Sequence, residues 1–417
     1  MAKRVFLHVG LPKSGTTYLQ AVLAENKERL GERSQVLYPG ARWHDQVLAA
    51  RDVLAANPHG VGDPHVDGAW QRLTEEIAAW DGDAVVSMEW LGSAQPEQAR
   101  RMVGSLVPAQ VHVVVTARDL ARTIPAAWQE FTRNWETWTW EEFLSAIASE
   151  NPRATPSANL FWTQQDLGRV LAIWRDVLPP EQVHVVTLPP PGATAGTLWS
   201  RFATVLGVDD SQFDASGRGS NESLGLESAV LMMRINNVSR TRNLSWKVYD
   251  ELFKSTLAME GLSKRRHLES TLVVPDSLRD WVQQRTDEHL EAVRASGAQV
   301  VGDLADLHPV YGAHGLQPGD VGADGVLEAA VDGMVVLARE CGDVLQRVRD
   351  RNAEQRRHIR ELEGRVAELE GKLTRYHGPF APVMKQAVID VSERRPLLMR
   401  MRRSYWFTVD QVRKLRR

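Results

Sequence analysis

The residues best suited to chemistry lie in a glycine-bounded segment near the start of the chain. A short apolar run leads to Gly10, and four residues separate it from Gly15, the glycine spacing of a phosphate-binding loop. A helical pattern begins directly afterwards, so backbone N–H groups of the loop would point at an anion held at the helix N-terminus. Thr16 and Thr17 could add hydroxyl donors, and Lys13 would reach the oxygen between the two halves of a mixed anhydride. The alternative is a Ser/Thr helix cap without a ligand.

The order of residues in this loop is informative. In nucleoside triphosphatases the second glycine is followed by Lys and then Ser or Thr, whereas here the lysine lies inside the loop. The segment resembles the 5′-phosphosulfate loop of sulfotransferases that use 3′-phosphoadenosine 5′-phosphosulfate (PAPS). Their pattern, Pro-Lys-(Ser/Thr)-Gly-Thr-(Thr/Ser) after the first strand, is matched in full by Pro12, Lys13, Ser14, Gly15, Thr16 and Thr17. The resemblance implies that these residues bind PAPS, that Lys13 stabilises the leaving phosphate, and that no metal is required.

A second segment extends the resemblance. The apolar run 113–117 ends at Arg118. In the family an arginine at this place binds the 3′-phosphate of PAPS, usually with a serine eight positions further on. The eighth position here is Ala126, so Thr123, one turn earlier, or a backbone amide is the candidate substitute. The alternative role for Arg118 is an ion pair at a strand end.

The resemblance also implies a catalytic base. In the family a His or Glu acts as base at the end of the strand that precedes the arginine-bearing strand, and Glu89 has that place. The alternative for Glu89 is a cap of the next segment or a surface ion pair. His44 is the competing base, whereas His8 and His112 lie within apolar strands and are predicted to be core residues.

A further loop lies late in the domain. The family closes its nucleotide site with a basic, glycine-containing loop, and residues 218–224 have this character. Arg218 and Asn221 are therefore candidate contacts to the 3′-phosphate or the adenosine. A helix cap built from Asn and Ser explains the same residues equally well.

These candidates need a scaffold that brings strand ends together. Five runs of four to seven residues, rich in β-branched side chains and bounded by Gly, Pro or Asp, alternate with helix-length patterns over the first 210 residues. They are residues 5–9, 35–38, 83–87, 110–115 and 182–187. This alternation predicts an α/β fold with a P-loop-type parallel sheet flanked by helices on both faces.

The rest of the chain is predicted to be mainly helical. The sulfotransferase-like domain is expected over residues 1–305, with a helical part from about 226, followed by a linker at 306–337. Apolar residues at positions a and d predict a coiled coil over 338–376, with Asn352 at a and Gln355 at d, and favour a parallel homodimer. A long solvated helix, or one folded back on the body, is the alternative.

Residues 377–417 form a basic amphipathic tail. From Tyr376 to the end there are ten Lys or Arg and three Asp or Glu, although the whole chain has a net charge of −3. Basic and aromatic residues in the tail fit an anionic membrane surface, with a solvated or partner-docked tail as the alternative. The overall charge argues against a nucleic-acid partner.

Composition excludes several classes of protein. Hydrophobic residues make up 43% and charged residues 25% of the 417, as in ordinary globular proteins. The longest apolar runs are shorter than the ~20 residues of a membrane-spanning helix, and no secretory signal is recognisable. The single cysteine, Cys341, excludes an intrachain disulfide. A cytoplasmic protein, peripheral at the membrane if the tail binds lipid, is expected.

The leading hypothesis is a PAPS-dependent sulfotransferase acting on a hydroxyl or amine of a carbohydrate, lipid or other small acceptor. Five tryptophans crowd between residues 128 and 162; aromatic platforms suit such acceptors, but core packing is the commoner use. The competing hypotheses are a P-loop kinase for a small molecule and a non-catalytic scaffold that works through its coiled coil and tail.

Overall fold

The structure is a computed structural model. It describes residues 2–414 except 58, 59, 61, 217–222, 313, 314 and 377–379. The chain divides into two compact units, Met1–Arg339 and Glu340–Arg417. Within the described residues, no helix is both long and apolar enough to span a bilayer.

The first unit is built on a sheet of six parallel strands. The strands are β1 (Arg4–Gly10), β2 (Val36–Leu37), β3 (Asp83–Ser87), β4 (Gln110–Ala117), β5 (Val183–Thr187) and β6 (Gln299–Val301). Their order is β2-β3-β1-β4-β5-β6, so β1 pairs with β3 on one side and with β4 on the other. This confirms the predicted class, an α/β fold with a parallel sheet flanked by helices.

Helices cover both faces of the sheet because successive side chains of a strand point to opposite faces. In β1, Val5, Leu7 and Val9 enter one apolar core, and Phe6 enters the other. The helices of this unit are α1 (Thr16–Glu25), α2 (Lys27–Ser34), α3 (Trp43–Val53), α4 (Ala69–Ala79), α5 (Pro96–Ser105), α6 (Leu120–Arg133), α7 (Trp140–Ile147), α8 (Pro156–Gln165), α9 (Leu167–Val177), α10 (Thr197–Leu206), α11 (Leu226–Thr241), α12 (Trp246–Val248) and α13 (Arg279–Ser296).

A third apolar core joins α6 to the helical region that follows the sheet. Trp128, Trp135, Trp140 and Trp162 are buried in it, and Trp138 packs against it. The packing interpretation of this tryptophan cluster is therefore confirmed. The same region contains a π-helix (Tyr249–Gly261) and a 3₁₀-helix (Leu262–Leu268).

Two details differ from the sequence prediction. The sequence pattern does not predict β6, because Gln299–Val301 is a short edge strand that is largely exposed and lacks a continuous apolar run. The helical pattern predicted from Leu226 to Val293 is interrupted at residues 269–275, which are not helical. Leu272 there forms a bridge with Leu316, and it is buried with Val274 in the third core.

The C-terminal part of the chain is helical. α14 (Ala323–Tyr376) begins inside the segment predicted as a linker, because Val326 and Ala329 in its first turns are buried in the third core. The helix continues through the segment predicted as a coiled coil. Two more helices, α15 (Phe380–Glu393) and α16 (Pro396–Lys414), occupy the predicted tail.

Candidate active site

The carboxyl ends of three neighbouring strands meet at one cleft. Because β3, β1 and β4 are adjacent and parallel, the residues that follow them lie at the same edge of the sheet. The loop after β1, Glu89 after β3 and Arg118 after β4 all line this cleft, which has a volume of ≈1660 Å³. Three segments that are distant in the sequence are thus brought together.

The loop between β1 and α1 has the backbone of an anion cradle. Gly10 and Gly15 have positive φ values of 84° and 86°, and Lys13 has a φ of 66°. A Cβ at Gly15 would lie 2.3 Å from Leu198 Cδ2, so any larger residue would require that side chain to move. Among the described residues, no side chain caps α1. Its first-turn N–H groups are therefore available to an anion.

A series of buried polar side chains, linked by hydrogen bonds, supports this loop. The Ser14 hydroxyl donates to the carbonyl of Leu11 and lies 2.6 Å from Thr116 Oγ1. Thr116 Oγ1 is 3.1 Å from His8 Nε2, and His8 Nδ1 is 2.7 Å from Ser87 Oγ. Burial lowers the pKa of His8 to about 3, so this residue is neutral at physiological pH. His8 is the predicted core residue, and Ser14 is buried and fixes the loop.

Lys13 is held by an acidic residue that the sequence analysis did not identify. Its Nζ donates to Glu130 Oε2 at 2.6 Å. Glu130 also accepts from Arg133 and, at 2.8 Å, from Asn134 Nδ2. Burial opposes ionisation of Glu130, but the charges of Lys13 and Arg133 outweigh it and hold the pKa of this carboxyl below its usual range. Glu130 is therefore a carboxylate at neutral pH.

The loop is also fixed by two contacts to its backbone. Arg118 Nη1 donates to the carbonyl of Lys13 at 3.2 Å, and Gln165 Nε2 donates to the carbonyl of Pro12 at 2.9 Å. Arg118 thereby joins the end of β4 to the loop after β1. Pro12 and Lys13 are both half-buried and line the cleft.

Arg118 retains unused donor capacity. Its Nε is buried and has no partner among the described residues. Burial, together with the charge of Arg122, lowers the pKa of Arg118 to about 10, so it remains a cation at neutral pH. A buried donor without an acceptor is costly, and an anionic ligand would satisfy it.

The substitute proposed for the family's serine lies elsewhere. Thr123 is buried, its hydroxyl has no partner among the described residues, and it does not line the cleft. Ala126, at the serine position, does line the cleft. The structure therefore brings Arg118 and Ala126 to the cleft but not Thr123.

Two further arginines on α6 contribute to the site. Arg122 and Arg133 line the cleft, and each keeps a buried nitrogen without a partner in the described part of the chain. The described cleft residues comprise seven cations and three carboxylates: Lys13, Arg51, Arg118, Arg122, Arg133, Lys254 and Arg266 against Glu89, Glu130 and Glu136. This excess of positive charge favours an anionic ligand.

Glu89 is the first residue of a 3₁₀-helix, Glu89–Ser93, that begins directly after β3. Gln20 Nε2 donates to Glu89 Oε2 at 2.7 Å and to the Ser87 carbonyl at 3.2 Å. Burial raises the pKa of Glu89; Gln20 and Lys13 oppose the shift, and the charge of Glu130 adds to it. A carboxylate with a raised pKa is suited to accept a proton near neutral pH.

Tyr38 is a neighbour of Glu89 that the sequence analysis did not single out. It follows β2, is buried, and its hydroxyl has no partner among the described residues. Burial raises the pKa of Tyr38, and the charge of Glu89 raises it further. Tyr38 therefore stays protonated beside the carboxylate.

The remaining candidates are placed outside the cleft or are not described. His44 lies in the first turn of α3, is exposed, and does not line the cleft. His112 is half-buried, with Nδ1 3.0 Å from Nε2 of His184. Arg218 and Asn221 lie outside the described residues.

Besides Tyr38, the sequence analysis missed four of the polar residues described above: Gln20, Arg122, Glu130 and Arg133. Three of them share one face of α6, since Arg122, Ala126, Glu130 and Arg133 follow one another at helical spacing and all line the cleft. Following α6 at helical spacing in both directions from Ala126 would have found them. Gln20 carried no comparable signal.

Aromatic residues form part of the cleft wall. The tryptophans that line it are Trp43, Trp90 and Trp246, none of which belongs to the cluster between residues 128 and 162. Among the described residues, no group of three or more His, Cys, Asp or Glu side chains is arranged to hold a metal ion.

Comparisons with known proteins give little further information. No protein-family model matches the chain, and no curated protein matches it. A solved structure, a sulfotransferase from Alicyclobacillus acidocaldarius, aligns with 60% of this chain and 99% of its own, at 18% sequence identity and a TM-score of 0.34.

Proposed function

We propose that the protein is a sulfotransferase that takes a sulfuryl group from PAPS and passes it to a hydroxyl or amine of a carbohydrate, lipid or other small acceptor. The observation that carries this proposal is the convergence of Lys13, Glu89 and Arg118 on one cleft, each from the end of a neighbouring parallel strand.

The residues of the cleft fit PAPS as an anionic ligand. The uncapped first turn of α1 and the adjacent loop suit the 5′-phosphosulfate, and Lys13 is the cation beside them. Arg118, with a buried donor that has no partner among the described residues, suits the 3′-phosphate. When bound, PAPS supplies an SO₃ group, whose bond to the phosphate oxygen breaks as its bond to the acceptor forms.

Lys13 has to exchange partners for this role. In the structure its ammonium group is paired with Glu130 at 2.6 Å. A leaving phosphate gains negative charge and offers a stronger partner, so Lys13 would stabilise charge where it develops. Arg133 also donates to Glu130 and would keep that carboxylate paired after Lys13 leaves.

Glu89 is proposed as the base. Its raised pKa makes the carboxylate basic enough to take the proton of the acceptor hydroxyl or amine as attack proceeds. Gln20 would hold the carboxylate in place through its hydrogen bond to Oε2. Trp90, the next residue, and Trp43 offer aromatic surfaces for the acceptor.

The proposal is tested with PAPS labelled with ³⁵S in the sulfuryl group. The protein is incubated with separated glycan, lipid and small-molecule fractions, and labelled products are resolved. Label transfer that requires both Lys13 and Glu89 supports the proposal. Phosphotransfer from ATP with Mg²⁺, without sulfuryl transfer, would instead favour the kinase hypothesis.

A further inference from the structure

The long helix α14 carries an apolar stripe that nothing in the described chain covers. Eleven apolar side chains on it are between 47% and 60% exposed, and ten of them form the stripe. The ten are Leu327, Val331, Met334, Leu345, Val348, Ile359, Leu362, Val366, Leu369 and Leu373; the eleventh, Val335, lies beside the stripe. An exposed stripe of this length is typical of an interaction surface.

The stripe follows a single heptad register. With Asn352 at position a and Gln355 at d, all ten residues fall at a or d, and the register runs from Leu327 to Leu373, roughly 70 Å at ~1.5 Å per residue. It begins well before residue 338, where the sequence analysis placed its start.

The opposite face of the same helix is already occupied. Val326 and Ala329 are buried in the core, and a Cβ at Gly333 would lie 2.6 Å from Leu257 Cδ1. These residues fall at positions c and f, away from the a/d stripe. Packing against the body thus leaves the stripe free for a second helix.

We propose that two copies of this chain pair along this stripe as a parallel, in-register, two-stranded coiled coil. The polar residues within the stripe favour a second copy of this chain as the partner, and they favour the parallel orientation over the antiparallel one. In a parallel pair Asn352 meets Asn352 of the other copy, and Gln355 meets Gln355, so buried amides bond to each other. An antiparallel pair centred on the stripe would set Asn352 against Val348 and Gln355 against Leu345, leaving amides unsatisfied.

Flanking charges agree with this arrangement in part. A parallel pair places Arg365 at g beside Glu370 at e of the other copy, and His358 beside Glu363, although Arg351 faces Arg356. Exposed pairs of this kind are weak, so the amide layers set the direction and the charges contribute little.

The single cysteine reports directly on the register. Cys341 is exposed and falls at position d between Ala338 and Leu345. In a parallel in-register pair the two Cys341 residues occupy the same layer, within reach of a disulfide. In an antiparallel pair centred on the stripe, the helical rise would set them roughly 27 Å apart.

The test uses the full-length chain. Light scattering after size-exclusion chromatography is expected to give twice the chain mass of 46.7 kDa. Oxidation with copper phenanthroline, which takes the two electrons and two protons from a pair of thiols, is expected to yield a disulfide-linked dimer on a non-reducing gel. A matched control carries Cys341→Ser with Asp343→Cys, which moves the thiol to the outward-facing position f, and should give little cross-linked product.

Two outcomes would overturn the proposal. A monomer at micromolar concentration would show that the stripe is covered in another way. A dimer in which Cys341 does not cross-link would exclude the parallel register. The double variant Ile359→Asp, Leu362→Asp is expected to be monomeric, with a helical circular dichroism spectrum confirming that it remains folded.

Discussion

Glu89 and Glu130 belong to one cleft, yet their surroundings shift their pKa values in opposite directions. Burial raises the pKa of Glu89, and the Gln20 amide and the charge of Lys13 oppose that shift only in part. Burial also acts on Glu130, but the adjacent charges of Lys13 and Arg133 reverse the effect. Two carboxylates whose pKa values are shifted in opposite directions are suited to different tasks, one to accept a proton and one to hold a cation.

The role of Glu89 is tested by its pH dependence. Sulfuryl transfer is expected to increase as the pH rises through the pKa of Glu89, which lies above the usual glutamate value. Glu89→Gln is expected to reduce kcat by about 10²–10⁴-fold, and nucleotide affinity should change little. Steady-state rates across the pH range and a binding titration check both points. A variant with near-normal kcat would exclude Glu89 as the base.

Glu130 is expected to restrain Lys13 and to stabilise the fold. Glu130→Gln removes a negative charge next to the anion site, so affinity for 3′-phosphoadenosine 5′-phosphate should increase by about tenfold, equivalent to ~1.4 kcal/mol. Calorimetric titration measures this affinity. Glu97→Gln, at an exposed position, is the control and should leave the affinity unchanged.

Glu130→Gln should also be less stable than the native protein, and the loss of stability should depend on pH. Because the pKa of Glu130 is lower in the folded chain, its contribution is present above the usual glutamate pKa and is lost as the pH falls. Glu130→Gln should therefore lower the Tm at neutral pH and have less effect in acid. An unchanged Tm at neutral pH would contradict the stabilising ion pair.

At the scale of elements, the β1–loop–α1 unit depends on Gly15. Its φ of 86° is unfavourable for any other residue, and a Cβ there would meet Leu198. Gly15→Ala should lower the free energy of unfolding by more than about 1 kcal/mol and weaken nucleotide binding. Gly104→Ala is the matched control, because Gly104 lies in α5 with nothing within 4 Å of its Cβ position. This substitution should raise the free energy of unfolding by up to ~1 kcal/mol. Equal denaturation midpoints for the two variants would show that the backbone conformation at Gly15 does not require glycine.

The elements that the sequence predicts well are those with strong local signals. The buried runs of β1, β3, β4 and β5 are apolar and β-branched, so the sequence alone places Glu89 and Arg118 at strand ends. β6 has no such run, and the pairing of Lys13 with Glu130, 117 residues away, depends on the packing of α6 against the loop. Helical spacing along α6 places Glu130 on the cleft face, but its pairing with Lys13 is a tertiary contact without a local pattern, so the cation's partner was missed.

At the scale of the molecule, the cleft lies within the unit Met1–Arg339, and the basic segment lies within Glu340–Arg417. In the second unit α15 and α16 pack together: Arg402 donates to the Ser392 hydroxyl at 2.7 Å, and Lys385 lies over Trp406 at 4.9 Å from the ring centre. Arg400 and Arg403 are exposed and remain available to an anionic surface.

The full chain is therefore expected to sediment with vesicles that contain phosphatidylserine and not with pure phosphatidylcholine vesicles. Arg400→Ala with Arg403→Ala should reduce the bound fraction and leave nucleotide affinity unchanged. Equal sedimentation with both kinds of vesicle, or no effect of the double variant, would count against a membrane role for these arginines.

The proposed function depends on the binding of a nucleotide in the cleft by Lys13 and Arg118. The most direct measurement is a calorimetric titration of the full chain with 3′-phosphoadenosine 5′-phosphate, without added metal, for the native protein, Lys13→Ala, Arg118→Ala and the control Arg100→Ala at an exposed site. We expect micromolar affinity, a loss of about tenfold or more in each of the first two variants, and no change in the control. No binding by the folded protein, or binding that neither substitution weakens, would show that Lys13 and Arg118 do not form a nucleotide site.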